Sequence, residues 1–285
     1  MGINYAAALA DLEPEIKISA QYWLYERSIF LQAITAKNTA GIPGLVASFP
    51  KIDNVEASDV LENEDAPESD ISTDMPELKV SEKEVNVPIT DLAFEAVGKK
   101  ELIGNVGKLL GSAMARKFDI DCAASFSGFT KSIGTAGVAL NAGSVAKAVT
   151  ILMAQEFADE LYGAVHPFQA LGIKEGLTNL YGEGTKTPPS DILANQVMLR
   201  YYIGSISGAN VVETATIVPD VAGDAVGAIF SPTGIGAHIK KLFELEYDRN
   251  GKGRVTHILG HGMWKIGVIN PLHGVKLLGD CSEPA

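Results

Sequence analysis

The sequence predicts an α+β fold with one element that reaches out of the body. Three observations predict it. Between Asp53 and Glu84 twelve acidic residues stand against only Lys79 and Lys83, which gives this block −10 of the chain's net −12. A helical apolar pattern runs from about Leu92 to Ser125. From about Lys240 to the end, short apolar runs alternate with turn residues, as strands do.

The bulk numbers set limits. With 285 residues, 46% of them hydrophobic, the chain can bury one large lobe or two medium ones. Cys122 and Cys281 define no disulfide framework, so a reducing compartment is expected. The start, Met1-Gly2-Ile3-Asn4-Tyr5 with Asp11 and Glu13 close behind, lacks the basic and apolar regions of a secretory signal. No uncharged apolar run reaches the roughly 18 residues of a membrane span. The acidic balance disfavours an open, sequence-reading nucleic-acid surface. It suits a protein that sits near DNA without adhering to it.

Each element follows from local pattern. Ile18, Tyr22, Tyr25, Ile29 and Ala33 recur at helical spacing, predicting an amphipathic helix over 11–36 that ends before Gly41 and Pro43. Apolar stretches flank the acidic block, 44–50 before it and 85–89 after it, and predict two extended strands with a solvated tip. About 15 residues per strand would reach roughly 50 Å. A compact chain of this length has a radius of gyration of about 19 Å. Such an arm stands in solvent or lies on a neighbour. Ile103, Val106, Leu110, Ala113, Met114, Lys117, Phe118 and Asp121 trace one face of the long helix, with Gly104, Gly107 and Gly111 on another, which suggests a spine that packs closely along its glycines. After a loop over 125–143, Ser144 is the expected cap of a helix to about Leu161. A strand over 162–165 and a helix opening at Pro167 and running to about Thr178 follow. The sequence then predicts a loop over 182–189, a helix over 191–200, strands over 202–218 broken at Gly204 and Gly208, and a strand over 225–230. Residues 232–236 suit a short turn or helix. Strands over 240–247 and 254–261 flank an Asn250-Gly251 hairpin turn, and 263–269 and 275–278 are the closing strands.

No motif survives as a chemical site. Asp248, Asn250, Lys252 and Gly253 echo a calcium loop, but Lys252 stands where a ligand belongs and Leu259 where the bidentate Glu belongs, so a hairpin turn is the better reading. His257 and His261 would share a metal on a helix; on a strand they lie roughly 13 Å apart. No Ser sits between glycines at the spacing of a nucleophile elbow. Gly107-Lys108 lacks the upstream glycine of a phosphate loop, and neither Gly134-Thr135-Ala136-Gly137 nor Gly234-Ile235-Gly236 opens a helix after a strand. The carboxylates of the acidic block have nothing to desolvate them, so raised pKa values are not expected there. No catalytic, cofactor-binding or metal-ligating residue is assigned, and no cofactor is expected.

Six stretches together resemble the major capsid protein of tailed bacteriophages, the Hong Kong 97-like fold: 49–51 opening the extended loop, 87–93 closing it, 113–121 at the end of a spine helix, Val165-His166-Pro167, the glycine-punctuated 202–211, and the closing 267–276. The resemblance implies an N-terminal arm over 1–43 and an extended β-hairpin loop over 44–91. It implies a peripheral domain of 92–135 with 238–285, built on a long spine helix, and a mixed α/β axial domain over 136–237. It implies a structural protein, not an enzyme, that self-assembles as hexamers and pentamers into an icosahedral phage head around double-stranded DNA held without sequence preference. Portal, scaffold and cement proteins are the implied partners, with no membrane; the implied location is the virion, after assembly in the host cytoplasm. An encapsulin-type nanocompartment shell is the close alternative. Some family members crosslink a loop Lys to an Asn of a neighbour; this chain offers Lys51, Lys79 and Lys83 but no Asn between Gly251 and Gly267. Because the arm begins within a few residues of Met1, scaffolding is expected from a separate protein. An α/β enzyme lidded by the acidic arm, or a decoration or tail-tube component, are the readings from other classes.

Overall fold

In the computed structural model, residues 13–52, 59, 73–93, 99–155, 160–180 and 202–284 are described. Its largest single feature is a hairpin of two long strands, β12 (Ile235–Asn250) and β13 (Val255–Val268). The turn between them is built by Asn250, whose Oδ1 accepts the backbone N–H of Lys252 and of Gly253, both at 3.2 Å. Arg254 takes the left-handed conformation, φ 50°, that closes the loop onto Val255.

Two more strands complete a four-stranded sheet. β1 (Thr35–Asn38) runs parallel to β12, and β6 (Ser81–Thr90) runs antiparallel to β13. The long helix α2 (Lys99–Ser125) lies across this sheet and buries Val106, Leu110, Met114, Phe118 and Cys122, spaced four residues apart. Phe118 meets the buried Trp264 of β13 with ring centroids 5.7 Å apart, and the Trp264 indole N–H donates to Asp121. Full burial of each such side chain contributes about 1.5–3 kcal/mol.

Helix α1 (Glu13–Arg27) packs on α2. Glycine permits the approach: a Cβ at Gly111 would stand 2.2 Å from the carbonyl oxygen of Ala20, and one at Gly107 2.8 Å from Ser19. The close packing expected along the glycine face is therefore present at these two positions. Gly104 faces open space.

A second sheet has the order β7-β14-β11-β8-β10-β9. Its strands are β7 (Lys131–Ile133), β8 (Leu161–Val165), β9 (Tyr202–Ile206), β10 (Ala209–Glu213), β11 (Asp224–Phe230) and β14 (Gly274–Asp280). Helices α3 (Ala142–Met153) and α4 (Pro167–Leu180) join one core of this lobe with Val145, Val149, Ile173, Val211, Ile229 and Leu277. Phe126, Phe129 and Phe230 carry the other core toward α1 through Phe30.

The structure differs from expectation in several places. Helix α1 ends at Arg27, and its buried residues are Ile16, Ala20 and Leu24; Ile18, Tyr22 and Tyr25 face outward. The stretch at 46–48 is β2 (Val46–Ser48) and pairs with β5 (Glu77–Lys79), not with 85–89, which lies in β6. A shorter pair, β3 (Lys51–Ile52) with β4 (Thr73–Asp74), extends that hairpin. Asn141, not Ser144, caps α3: its Oδ1 accepts the Ser144 N–H at 2.9 Å. Helix α3 stops at Met153 rather than near Leu161; the closing strand β14 hydrogen-bonds to β11 in the six-stranded sheet. The loop and helix expected over 182–200 lie outside the described residues.

Candidate assembly surfaces

The end of α1 is fixed by one buried carboxylate. Asp119 of α2 is 2% exposed and accepts from Ser28 Oγ (2.9 Å), Ile29 N (3.1 Å) and Phe30 N (3.3 Å). Those two amides would otherwise continue the helix, so Asp119 both ends α1 and ties the chain that follows it to the spine. Burial raises the Asp119 pKa, against the pull of the three hydrogen bonds. Burial also pushes the neighbouring Cys122 thiol well up.

Anchored this way, α1 presents Ile18, Tyr22 and Tyr25 to solvent, and Ile29 continues the row just beyond the helix, from 38% to 67% exposed. An isolated exposed apolar side chain needs no explanation; a row of four does. Beside the row, Gln21, Leu24, Tyr25, Leu242 and Phe243 line a cleft of about 210 Å³, where β12 breaks register between Lys241 and Glu244. On the other flank Trp23 carries Arg27 at 5.5 Å and Lys108 at 4.6 Å from its ring centroid.

The base of the extended hairpin is fixed as firmly. His238, 1% exposed, donates from Nδ1 to Leu78 O at 2.8 Å, and its Nε2 lies 2.7 Å from the Thr39 hydroxyl. One ring thus ties the long strand β12 to β5 of the hairpin and to the segment after β1. Lys37 donates to Ser48 O at 2.9 Å and Lys240 to Gly44 O at 2.6 Å. Ala47, Phe49, Leu78 and Ile269 form a small core of their own beneath it. At the far end of β6, Arg249 grips Asp91 with two parallel bonds of 2.6 and 2.8 Å and donates a third to Thr256. The bond from Arg249 holds the Asp91 carboxyl below its ordinary range.

The residues singled out by sequence disperse. Lys51 lies opposite Asp74 and Lys79 opposite Val46 in the extended hairpin. Lys83 instead sits in β6, with its amine 3.7 Å from Asp121 of the spine. His257 and His261 both lie in β13, where His257 faces Asn86 of β6 and His261 faces Glu244 of β12, so they share no partner. The Asn250 oxygen of the calcium-like turn serves two backbone amides. Among the described residues no group of three His, Cys, Asp or Glu could hold a metal ion, and no helix is long and apolar enough to cross a membrane. Sequence reasoning missed Asp119 and His238. A lone Asp inside an apolar helix face was the only available signal for the first, and a His in an otherwise apolar strand for the second.

No protein-family model matches the chain, and no curated protein does. Solved structures match almost its whole length. The capsid of cyanophage P-SCSP1u superposes with a TM-score of 0.64 at 16% identity, covering 90% of this chain and 89% of that one. Mycobacterium phage Che8 gives 0.64 at 18% identity, with 88% and 90% covered. The holo-SrpI encapsulin complex from Synechococcus elongatus gives 0.64 at 7% identity, with 90% and 89% covered. These superpositions define an α+β fold. It is the Hong Kong 97-like fold, here with its long spine helix and extended hairpin.

Proposed function

We propose that this chain is the major capsid protein of a tailed phage, a structural subunit and not an enzyme. It self-assembles as hexamers and pentamers into an icosahedral head around double-stranded DNA. The observation that carries the reading is the fold itself, shared along about nine-tenths of the chain with phage capsids. The surfaces support it. A row of exposed apolar side chains along and just beyond α1, and a hairpin firmly anchored at its base, are elements suited to meet a neighbour. Closure of a shell is set by such interfaces.

In this reading residues 92–135 and most of 238–285 form a peripheral unit, and 136–237 an axial unit completed by β14. The pairing of β14 with β11 supports that last assignment. Portal, scaffold and cement proteins are the partners, the DNA is held without sequence preference, and assembly takes place in the bacterial cytoplasm. An encapsulin-type shell is the second reading, favoured by the equal TM-score of the Synechococcus shell.

Electron microscopy of the purified protein, with light scattering for mass, tests the class. Closed shells, or rings of five and six, are expected; a monomer or dimer under every condition, scaffold partner included, overturns it. Expression beside its neighbouring genes separates the two shells. A head fills with nucleic acid, whereas a nanocompartment retains an enzyme.

A further inference from the structure

Where α4 begins, one imidazole holds two elements at once. His166 is the N-cap of the helix: its carbonyl oxygen accepts the Ala170 N–H at 2.9 Å, and its Nδ1 accepts the Phe168 N–H at 3.3 Å. The same Nδ1 lies 2.8 Å from Sγ of Cys281, the first residue after β14. We propose that His166 and Cys281 form a clasp that acid opens: protonation of the imidazole frees the segment after β14 and bares the Cys281 thiol. The clasp lies within one chain and does not depend on the shell reading.

The direction of the hydrogen bonds makes the pair sensitive to acid. A ring nitrogen that accepts the Phe168 N–H carries no proton, so the imidazole holds its proton on Nε2 and the Cys281 thiol donates to Nδ1. Burial pushes the thiol up to about 11, so this donor stays in place through the neutral and acid range. Acid therefore acts on the histidine. A second ring proton, on Nδ1, points at a backbone N–H that cannot turn away. It also puts a positive charge at a helix N-terminus, where the dipole opposes it. Burial disfavours the same charge and lowers the His166 pKa. The carboxylates on the surrounding elements are already engaged. Asp280 Oδ1 accepts the N–H and the hydroxyl of Ser282, at 2.9 and 2.5 Å, and Asp224 Oδ1 accepts the Gly137 N–H at 2.7 Å. Asp220 Oδ1 serves the Ala222 and Asp224 amides of its own loop, and Glu213 of β10 pairs with Lys174 of α4.

Opening is local, because the rest of the junction holds without the imidazole. Gln169, 1% exposed, donates from Nε2 to Ala225 O at 2.8 Å and to Gly279 O at 2.9 Å, and so fixes α4 to β11 and β14. Beyond Asp280 the chain is held more lightly. Cys281 N donates to Gly223 O at 2.8 Å, Ser282 bonds back to Asp280, and Ser282, Glu283 and Pro284 are exposed. Cys281 itself is buried, so a reagent reaches its sulfur when this segment lifts.

Thiol labelling of the free, full-length chain tests the clasp. The probe is 4,4′-dithiodipyridine, which reacts with thiols in acid as well as at neutral pH. Rates at Cys281 and at Cys122 are read by peptide mass and divided by the rate for glutathione at the same pH. The Cys281 ratio is expected to rise about tenfold between pH 7.5 and 5.5, as linkage to one proton allows, while the buried Cys122 stays slow. His166→Asn keeps an N-cap acceptor and does not titrate, so its Cys281 ratio is expected to stay flat. A wild-type ratio that stays level or falls in acid overturns the clasp. So does an equal rise in His166→Asn, or a Cys122 ratio that rises in step with Cys281, which is the mark of global unfolding. None of these outcomes touches the shell reading, which stands or falls on assembly.

Discussion

Asp119 shows how one side chain can position a whole arm. Replacing it with Ala leaves Ser28 Oγ and the Ile29 and Phe30 amides without their acceptor in a buried place. Each orphaned donor costs about 1–3 kcal/mol, partly offset by removing a desolvated charge, so Asp119→Ala should lower stability by about 2–4 kcal/mol in urea denaturation. The pH dependence has a definite sign. Because the folded pKa is raised, folding takes up a proton at this group; its contribution is greatest below the ordinary 3.8 and falls as pH rises through the folded value. His166 has the opposite sign. Its Nδ1 accepts the Phe168 N–H at 3.3 Å and lies 2.8 Å from Cys281 Sγ, and burial lowers its pKa below 6.5. Its contribution is complete above pH 6.5 and is lost as pH falls through the lower, folded value, since a protonated Nδ1 cannot accept. His166→Asn should keep an acceptor and flatten this part of the stability profile, measured by thermal melts across pH 4–8. Neither residue was legible beforehand. Their roles come from contacts 91 and 115 positions apart in sequence, which no local pattern carries.

Elements were more legible than residues, and the misses have physical causes. The glycine face of α2 announced a close helix contact, and it can be tested by contrast. Gly111→Ala drives a Cβ to 2.2 Å from the Ala20 carbonyl oxygen and should separate α1 from α2. Gly104→Ala meets nothing within 4 Å and should gain the helix propensity of alanine, about 1 kcal/mol. Melting temperatures that move in opposite directions would bear this out; equal shifts would show that the contact is not tight. The β12–β13 hairpin was legible from Asn250-Gly251 and the flanking alternation, because turn and strand signals agreed. Helix α1 was legible as a helix and wrong in its facing. Ile18, Tyr22 and Tyr25 are as apolar as Ile16, Ala20 and Leu24, and periodicity cannot say which of two apolar stripes the chain buries by itself. For the same reason the pairing of the extended loop was misassigned. Both 77–79 and 85–89 alternate as strands, and the sheet edge offered by β13 claimed the second.

At the scale of the molecule, the chain's charge sits in the wrong place for a self-sufficient fold. The segment 53–74 has nine acidic residues and no basic one, and a chain that needed only its own core would gain nothing by such concentration. Two acidic segments repel, so in an assembly each must rest on neutral or basic surface of another copy, or remain in solvent. Reversing Asp59, Glu62, Glu64 and Asp65 to Lys separates these alternatives. Asp59 is exposed and the segment lies outside the buried core, so the melting temperature of the free subunit should change little. Assembly should fail or slow by more than tenfold if the segment docks on a neighbour. The defect should also weaken as salt rises from 50 to 500 mM, because contacts between exposed charges are screened over about 4–14 Å in that range. Assembly indistinguishable from wild type at both salt concentrations would show that the segment stays in solvent, where its concentrated charge keeps subunits apart until other surfaces bring them together.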